Sequence, residues 1–105
     1  MTKFLVLWQN NMLAPWPADR REVEENAVAM FEAIDRYVDG EIVTENAFFA
    51  DAESGCFVFQ GTTEDLFNMT SMFSPFVKYE VQEMIPYELG KNMTLENLHT
   101  KTLAR

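Results

Sequence analysis

The sequence predicts an α+β domain in which four strands and two helices follow one another as βαββαβ, the strands forming a four-stranded antiparallel sheet. Three observations predict it. FLVLWQ at residues 4–9 and CFVFQ at residues 56–60 are apolar runs of strand length with turn-forming residues nearby. Val23, Ala27, Met30, Ile34 and Val38 recur at helical spacing with Arg, Glu and Asp between them. Val77, Tyr79, Val81 and Ile85 alternate with Lys78, Glu80, Gln82 and Met84, the period of a strand with one buried face.

The first strand ends at Asn10-Asn11, and a loop through Pro15 and Pro17 leads to Asp19 and the first helix. Gly40 follows the last periodic residue of that helix, where a residue without Cβ adopts a left-handed cap at least cost. From Glu41 to Phe49, Ile42, Val43, Thr44, Phe48 and Phe49 favour extended chain, and Asp51 to Gly55 is a polar turn, so the second and third strands form a hairpin. Residues 61–65 read as a helix start, with a threonine to cap free amides and early carboxylates at the positive end of the dipole. That second helix carries Leu66, Met69 and Phe73 inward and ends before Pro75, and Pro86 closes the fourth strand. The domain is thus expected over residues 1–89. Residues 90–105 form a C-terminal tail whose Leu95, Leu98 and Leu103 mark a short helix or an arm onto a partner.

Length and composition bound the function. A chain of 105 residues with 48% hydrophobic and 24% charged residues is the size of one domain with one core. Its net charge of -9 repels phosphate backbones and anionic lipid heads, so neither nucleic acid nor a membrane is an expected partner. An RNA-recognition module shares this element order, but its third strand needs a basic residue, a glycine and spaced exposed aromatics; Glu53 stands at the basic position. Cys56 has no second cysteine to bridge to, and only five apolar residues, Phe4 to Trp8, follow Lys3, too few for a signal core; the expected location is cytoplasmic.

The split βαβ, or ferredoxin-like, arrangement puts both helices on one side of the sheet and leaves the other side open. Both faces of the central strands are nonetheless apolar: Phe4, Val6 and Trp8 alternate with Leu5 and Leu7, and Phe57 and Phe59 with Cys56 and Val58. Exposing four or five such side chains forgoes roughly 1.5–3 kcal/mol each, comparable in sum to a whole domain's stability of about 5–15 kcal/mol. A second copy meeting sheet to sheet is the symmetric cover.

At this point the chain resembles the dimeric α+β barrel proteins, and among them the muconolactone-isomerase-like members. The resemblance is carried by Pro17-Ala18-Asp19 with the acidic helix after it, and by the stretch from Phe57 to Pro86. Within that stretch, Phe59-Gln60 ends a strand, Thr62-Thr63-Glu64-Asp65-Leu66 opens a helix that ends in Phe73-Ser74-Pro75-Phe76, and Lys78-Tyr79-Glu80-Val81 leads to Ile85-Pro86. It covers nearly all of residues 3–89 and implies a homodimer whose two sheets close a barrel, a small-molecule cleft between sheet and helices or at the barrel mouth, and no cofactor. Some relatives, the YCII-related group, use a His and Asp pair near the first helix, whereas the only histidine here is His99 in the tail. No catalytic residue of the family maps onto this chain.

Read from the residues themselves, the candidate ligand site joins Trp8, Asn10, Asn11 and Trp16, where the first strand meets the first helix. Aromatic walls with a few amides suit a small organic ligand, although core packing and turn chemistry are the commoner roles for these types. Glu45, Glu80 and Gln82, with Lys78, come from strands; a carboxylate among them facing an apolar barrel would have the raised pKa that a proton shuttle needs, and is more often simply solvated. Tyr79 alternates onto the core side, Cys56 lacks the base and electropositive setting of a nucleophile, and Glu96 with His99 is too small a set for a metal. The leading expectation is a small-molecule-binding dimeric α+β barrel, in its catalytic form a cofactor-independent isomerase or lyase acting on a small oxygenated compound. The alternative is a non-catalytic ligand sensor or assembly module.

Overall fold

The computed structural model describes residues 2–103. Strand β1 (Lys3–Asn10) is followed by α1 (Arg20–Asp39), β2 (Val43–Phe48), β3 (Ser54–Gln60), α2 (Thr63–Ser71), β4 (Val77–Met84) and α3 (Tyr87–Leu103). The strands make one antiparallel sheet in the order β2-β3-β1-β4, the ferredoxin-like βαββαβ arrangement with a third helix added at its end. The two apolar runs are the central strands, and burial alternates along both: Phe4 and Val6 on β1 and Gly55, Phe57 and Phe59 on β3 are buried, with half-buried residues between them.

Register fixes the two faces. Phe4 pairs with Phe59, Val6 with Phe57 and Val81, and Trp8 with Gly55 and Tyr79, so these side chains point together toward α1 and α2. Phe59 and Val6 are both 0% exposed, and with Phe4, Val43, Phe57, Ala33, Leu66, Met69 and Phe73 they form the core. Leu66, Met69 and Phe73 thus do face inward. The opposite face carries Leu5, Leu7, Cys56 and Val58 at its centre with Lys78, Glu80 and Gln82 along β4.

Local chemistry sets the helix ends. Asp19 caps α1 by accepting from the Arg21 amide at 3.0 Å. Thr62 and Asp65 form a reciprocal capping box at α2, the Asp65 amide donating to Thr62 Oγ1 at 3.0 Å and the Thr62 amide to Asp65 Oδ2 at 3.2 Å. Two expectations for α1 need correction. Gly40 is not the left-handed residue: its φ is -80°, and Glu41 takes φ 60° instead. The Glu41 amide donates to the Val38 carbonyl and the Ile42 amide to the Tyr37 carbonyl, a Schellman closure one residue later than the glycine suggests. Val23 and Val38 are also exposed; the buried stripe of α1 is Ala27, Met30, Ala33, Ile34 and Tyr37, shifted because the helix leans on β2 and β3 near its second half.

The β2 strand begins at Val43 and is interrupted by a bulge between Thr44 and Ala47, where Glu45 has φ 50°. Helix α3 starts at Tyr87, ahead of Gly90, and packs little against the rest: from Tyr87 to His99 only Gly90 is half-buried. The chain consequently measures 64 × 30 × 26 Å with a radius of gyration of 18.2 Å, against roughly 13 Å for a compact domain of this length.

Candidate functional site

A cavity of about 310 Å³ lies between the helix-facing side of the sheet and the two helices. Its floor is Trp8, Phe57 and Tyr79 from β1, β3 and β4 with Val77 beside them; its roof is Ala27, Met30, Phe31 and Ile34 of α1 with Met69 and Phe73 from α2 and the turn after it. Asp35, Asn46 and Phe48 complete the lining on the α1–β2 side, where Phe31 is 50% and Phe48 59% exposed, so the cavity opens there. The opening follows from the bulge, which breaks the regular pairing of β2 at Glu45 and Asn46.

Gly55 places the indole. A Cβ at that position would lie 2.6 Å from Trp8 Cζ2 and closer still to the Ala47 carbonyl oxygen, so only glycine lets Trp8 lie flat across β3. The Phe48 ring then meets the indole edge-on at 5.3 Å between centroids, and Phe31 sits 6.2 Å from Phe48, a chain of aromatic contacts leading from the floor to the opening.

Tyr79 is the polar feature of the floor. Burial pushes its phenol well above the ordinary tyrosine value. Among the described residues no hydrogen bond is made by its hydroxyl, and the raised pKa keeps the phenol a neutral donor. Asp35 and Asn46 at the opening are the other polar lining residues. Among the described residues no cluster of three or more His, Cys, Asp or Glu is placed to hold a metal ion, and no helix is long and apolar enough to cross a membrane.

The structure scatters the residues singled out from the sequence. Trp8 lines the cavity. Asn10 and Trp16 do not: the Asn10 backbone amide donates to the Glu53 carbonyl at 2.9 Å, and Trp16 donates from Nε1 to the Asn11 carbonyl at 2.7 Å while its ring meets Phe76 at a tilt, 4.9 Å between centroids. Asn11 braces the same loop, its Nδ2 donating to the Pro75 carbonyl and its Oδ1 accepting from the Leu13 amide. Glu45 sits exposed in the bulge next to Asn46. Glu80 and Gln82 stand on the open face opposite Leu7 and Leu5. Glu80 borders a second, more open recess with Leu7, Gln9, Phe49, Ser54 and Lys78, which the edges of Trp8 and Tyr79 also reach. The sequence reading missed Phe31, Asp35, Asn46, Phe48 and Phe57 as lining residues; the signal available was the aromatic excess of 13% with phenylalanines at both helix and edge-strand positions.

No family model matches the chain, and a search of curated proteins finds no significant relative.

Proposed function

We propose that this protein is a small-molecule-binding dimeric α+β barrel whose ligand enters the cavity between sheet and helices. The observation that carries the reading is an apolar, aromatic-walled space of about 310 Å³ with one unpartnered phenol on its floor. That volume is at the small end of ligand sites, which run roughly 300–1,000 Å³. The walls favour a flat aromatic or cyclic compound of roughly one or two rings, and Tyr79 favours one that carries an acceptor oxygen, such as a ketone or a quinone. The resemblance to muconolactone-isomerase-like proteins, carried by residues 17–19 and 57–86, supports a small oxygenated organic compound as the ligand. The apolar residues Leu5, Leu7, Cys56 and Val58 on the face opposite the helices support the barrel, because a second copy meeting them would cover that face.

The test is a calorimetric titration with a panel of aromatic ketones and quinones beside saturated acids of equal size. Preferential binding of the ring compounds is expected, with Tyr79→Phe weakening it roughly 3- to 10-fold through loss of one neutral hydrogen bond. Equal, weak binding of all members would overturn the reading.

A catalytic version rests on one further observation. Asp35 and Tyr79 line the same cavity, a carboxylate to take a proton and a phenol to hold the resulting oxyanion. In that version Asp35→Asn abolishes exchange of a substrate proton with deuterated solvent while leaving binding nearly unchanged. No exchange in the unmodified protein leaves ligand sensing as the role.

A further inference from the structure

We propose that Asp35 and Asn46, at the outer end of the cavity, form a subsite that holds the hydroxyl of an uncharged ring compound and turns carboxylates away; the inference rests on the ligand-binding reading above.

A one-residue irregularity in β2 assembles this end. Val43 pairs with Phe59 and Thr44 with Val58, but the next pairs are Ala47 with Cys56 and Phe48 with Gly55. Glu45 and Asn46 therefore stand together opposite Phe57. Glu45 absorbs the extra residue at φ 50°, a backbone conformation unfavourable for a residue with Cβ. Unbroken alternation from Val43 would have given Phe48 to the open face of the sheet. The extra residue returns it to the helix-facing side, where it meets Trp8, and Asn46 joins the cavity lining.

The two polar groups call for one kind of partner. Asp35 and Asn46 are both exposed, and among the described residues neither side chain makes a hydrogen bond or ion pair. A carboxylate only accepts hydrogen bonds, whereas a side-chain amide also donates them. A hydroxyl completes the pair by donating to Asp35 and accepting from Asn46 Nδ2. An ether oxygen or a carboxylate has no proton to give Asp35.

Charge selects in the same direction. Among the described residues no lysine, arginine or histidine lines the cavity. Lys78 stands on the opposite face of the sheet, in the second recess, and Arg36 projects about 100° further round α1 than Asp35. An entering anion would meet the Asp35 carboxylate with no cation in the lining to offset it, on a chain of net charge -9.

Tyr79 and this subsite stand at the two ends of one apolar space, the phenol on the floor and the polar pair at the opening. The compound that satisfies both has a carbonyl at its inner end and a hydroxyl at its outer end. The ring between them meets Phe31, Phe48 and Phe57. A hydroxylated aryl ketone is the simplest such molecule.

The experiment titrates isotope-labelled full-length protein, followed by NMR, with ketones that differ only at the para position: acetophenone and its para-hydroxy, para-methoxy and para-carboxylate derivatives. The hydroxyl compound is expected to bind about 10-fold tighter than the methoxy compound, through its hydrogen bond to a carboxylate. The carboxylate is expected to bind about 10-fold more weakly than acetophenone. Asp35→Asn keeps the shape and removes the charge, so it should narrow both gaps to about 3-fold or less. Asn46→Ala should lower the affinity of the hydroxyl compound relative to acetophenone about 3-fold. The ranking on the unmodified protein decides the selectivity whether or not either variant folds. Equal affinities for all four ketones, or a hydroxyl preference that survives both substitutions, would overturn the subsite while the cavity keeps its ligand. Failure of all four to bind would overturn the ligand reading, and the subsite with it.

Discussion

The two faces of the sheet are built from the same strands and behave differently. The helix-facing side carries large, irregular side chains, Phe4, Trp8, Phe57, Phe59 and Tyr79, and although two helices cover it a cavity remains. The open side carries medium, smooth ones, Leu5, Leu7, Cys56 and Val58, all half-buried, and among the described residues no helix lies over them. Large rings touch one another at angles and leave gaps between them, whereas short aliphatic chains make a flat surface suited to another flat surface. One strand period thus yields a cavity on one side and a flat apolar plane on the other.

The comparison is broken most severely at Phe59, which is wholly buried where β3 meets both helices. Phe59→Ala is expected to lose about 3–5 kcal/mol of unfolding free energy in urea, a large share of a domain's total, and the ligand site with it. Leu7→Lys acts on the other face and should leave helix content unchanged by circular dichroism. It places a charge at the centre of the open face and, if the proposed sheet pairing holds, raises the dimer dissociation constant on the order of 100-fold, read by analytical ultracentrifugation. If Leu7→Lys instead unfolded the chain, the open face would be core and the contrast would fail.

Two smaller effects sharpen the contrast. Gly55→Ala pushes a methyl group against Trp8, and the expected loss is about 1–3 kcal/mol in thermal unfolding with weaker ligand binding and unchanged dimerisation. Tyr79 contributes a pH effect on the alkaline side. Its folded-state pKa is raised by burial, so its contribution is complete below the unfolded value near 10 and is lost as pH rises beyond that. Stability measured from pH 9 to 11 should therefore fall more steeply in the unmodified protein than in Tyr79→Phe, by at most about 1 kcal/mol per pH unit.

The fold was legible because its signals are local. An alternating β4, two doubly apolar strands and the capping residues Asp19 and Thr62 each declare themselves within a few positions. The left-handed turn after α1 was displaced to Glu41 because the helix runs one residue further than its apolar stripe, which the stripe itself does not record. The site was legible only at Trp8. Phe31, Phe48 and Phe57 come from three separate elements and become one wall only through the register of β2 on β3 and the lean of α1. Asn10 shares a strand face with Trp8 but lies at the end of β1, beyond the cavity lining, and Trp16 lies eight residues on, in a loop held by Asn11 to Pro75. Glu80 and Gln82 were placed on a strand, and the pairing with Leu7 and Leu5 decides which face they occupy.

The two tryptophans occupy unlike surroundings, and this gives the protein a built-in optical readout. Trp16 has its indole N–H held by the Asn11 carbonyl and its ring tilted against Phe76, outside the cavity. Trp8 forms part of the cavity wall beside Phe48. With Trp16 replaced by phenylalanine, all indole fluorescence comes from the wall of the site, and the colour and brightness of that emission register whatever enters the cavity without any added label.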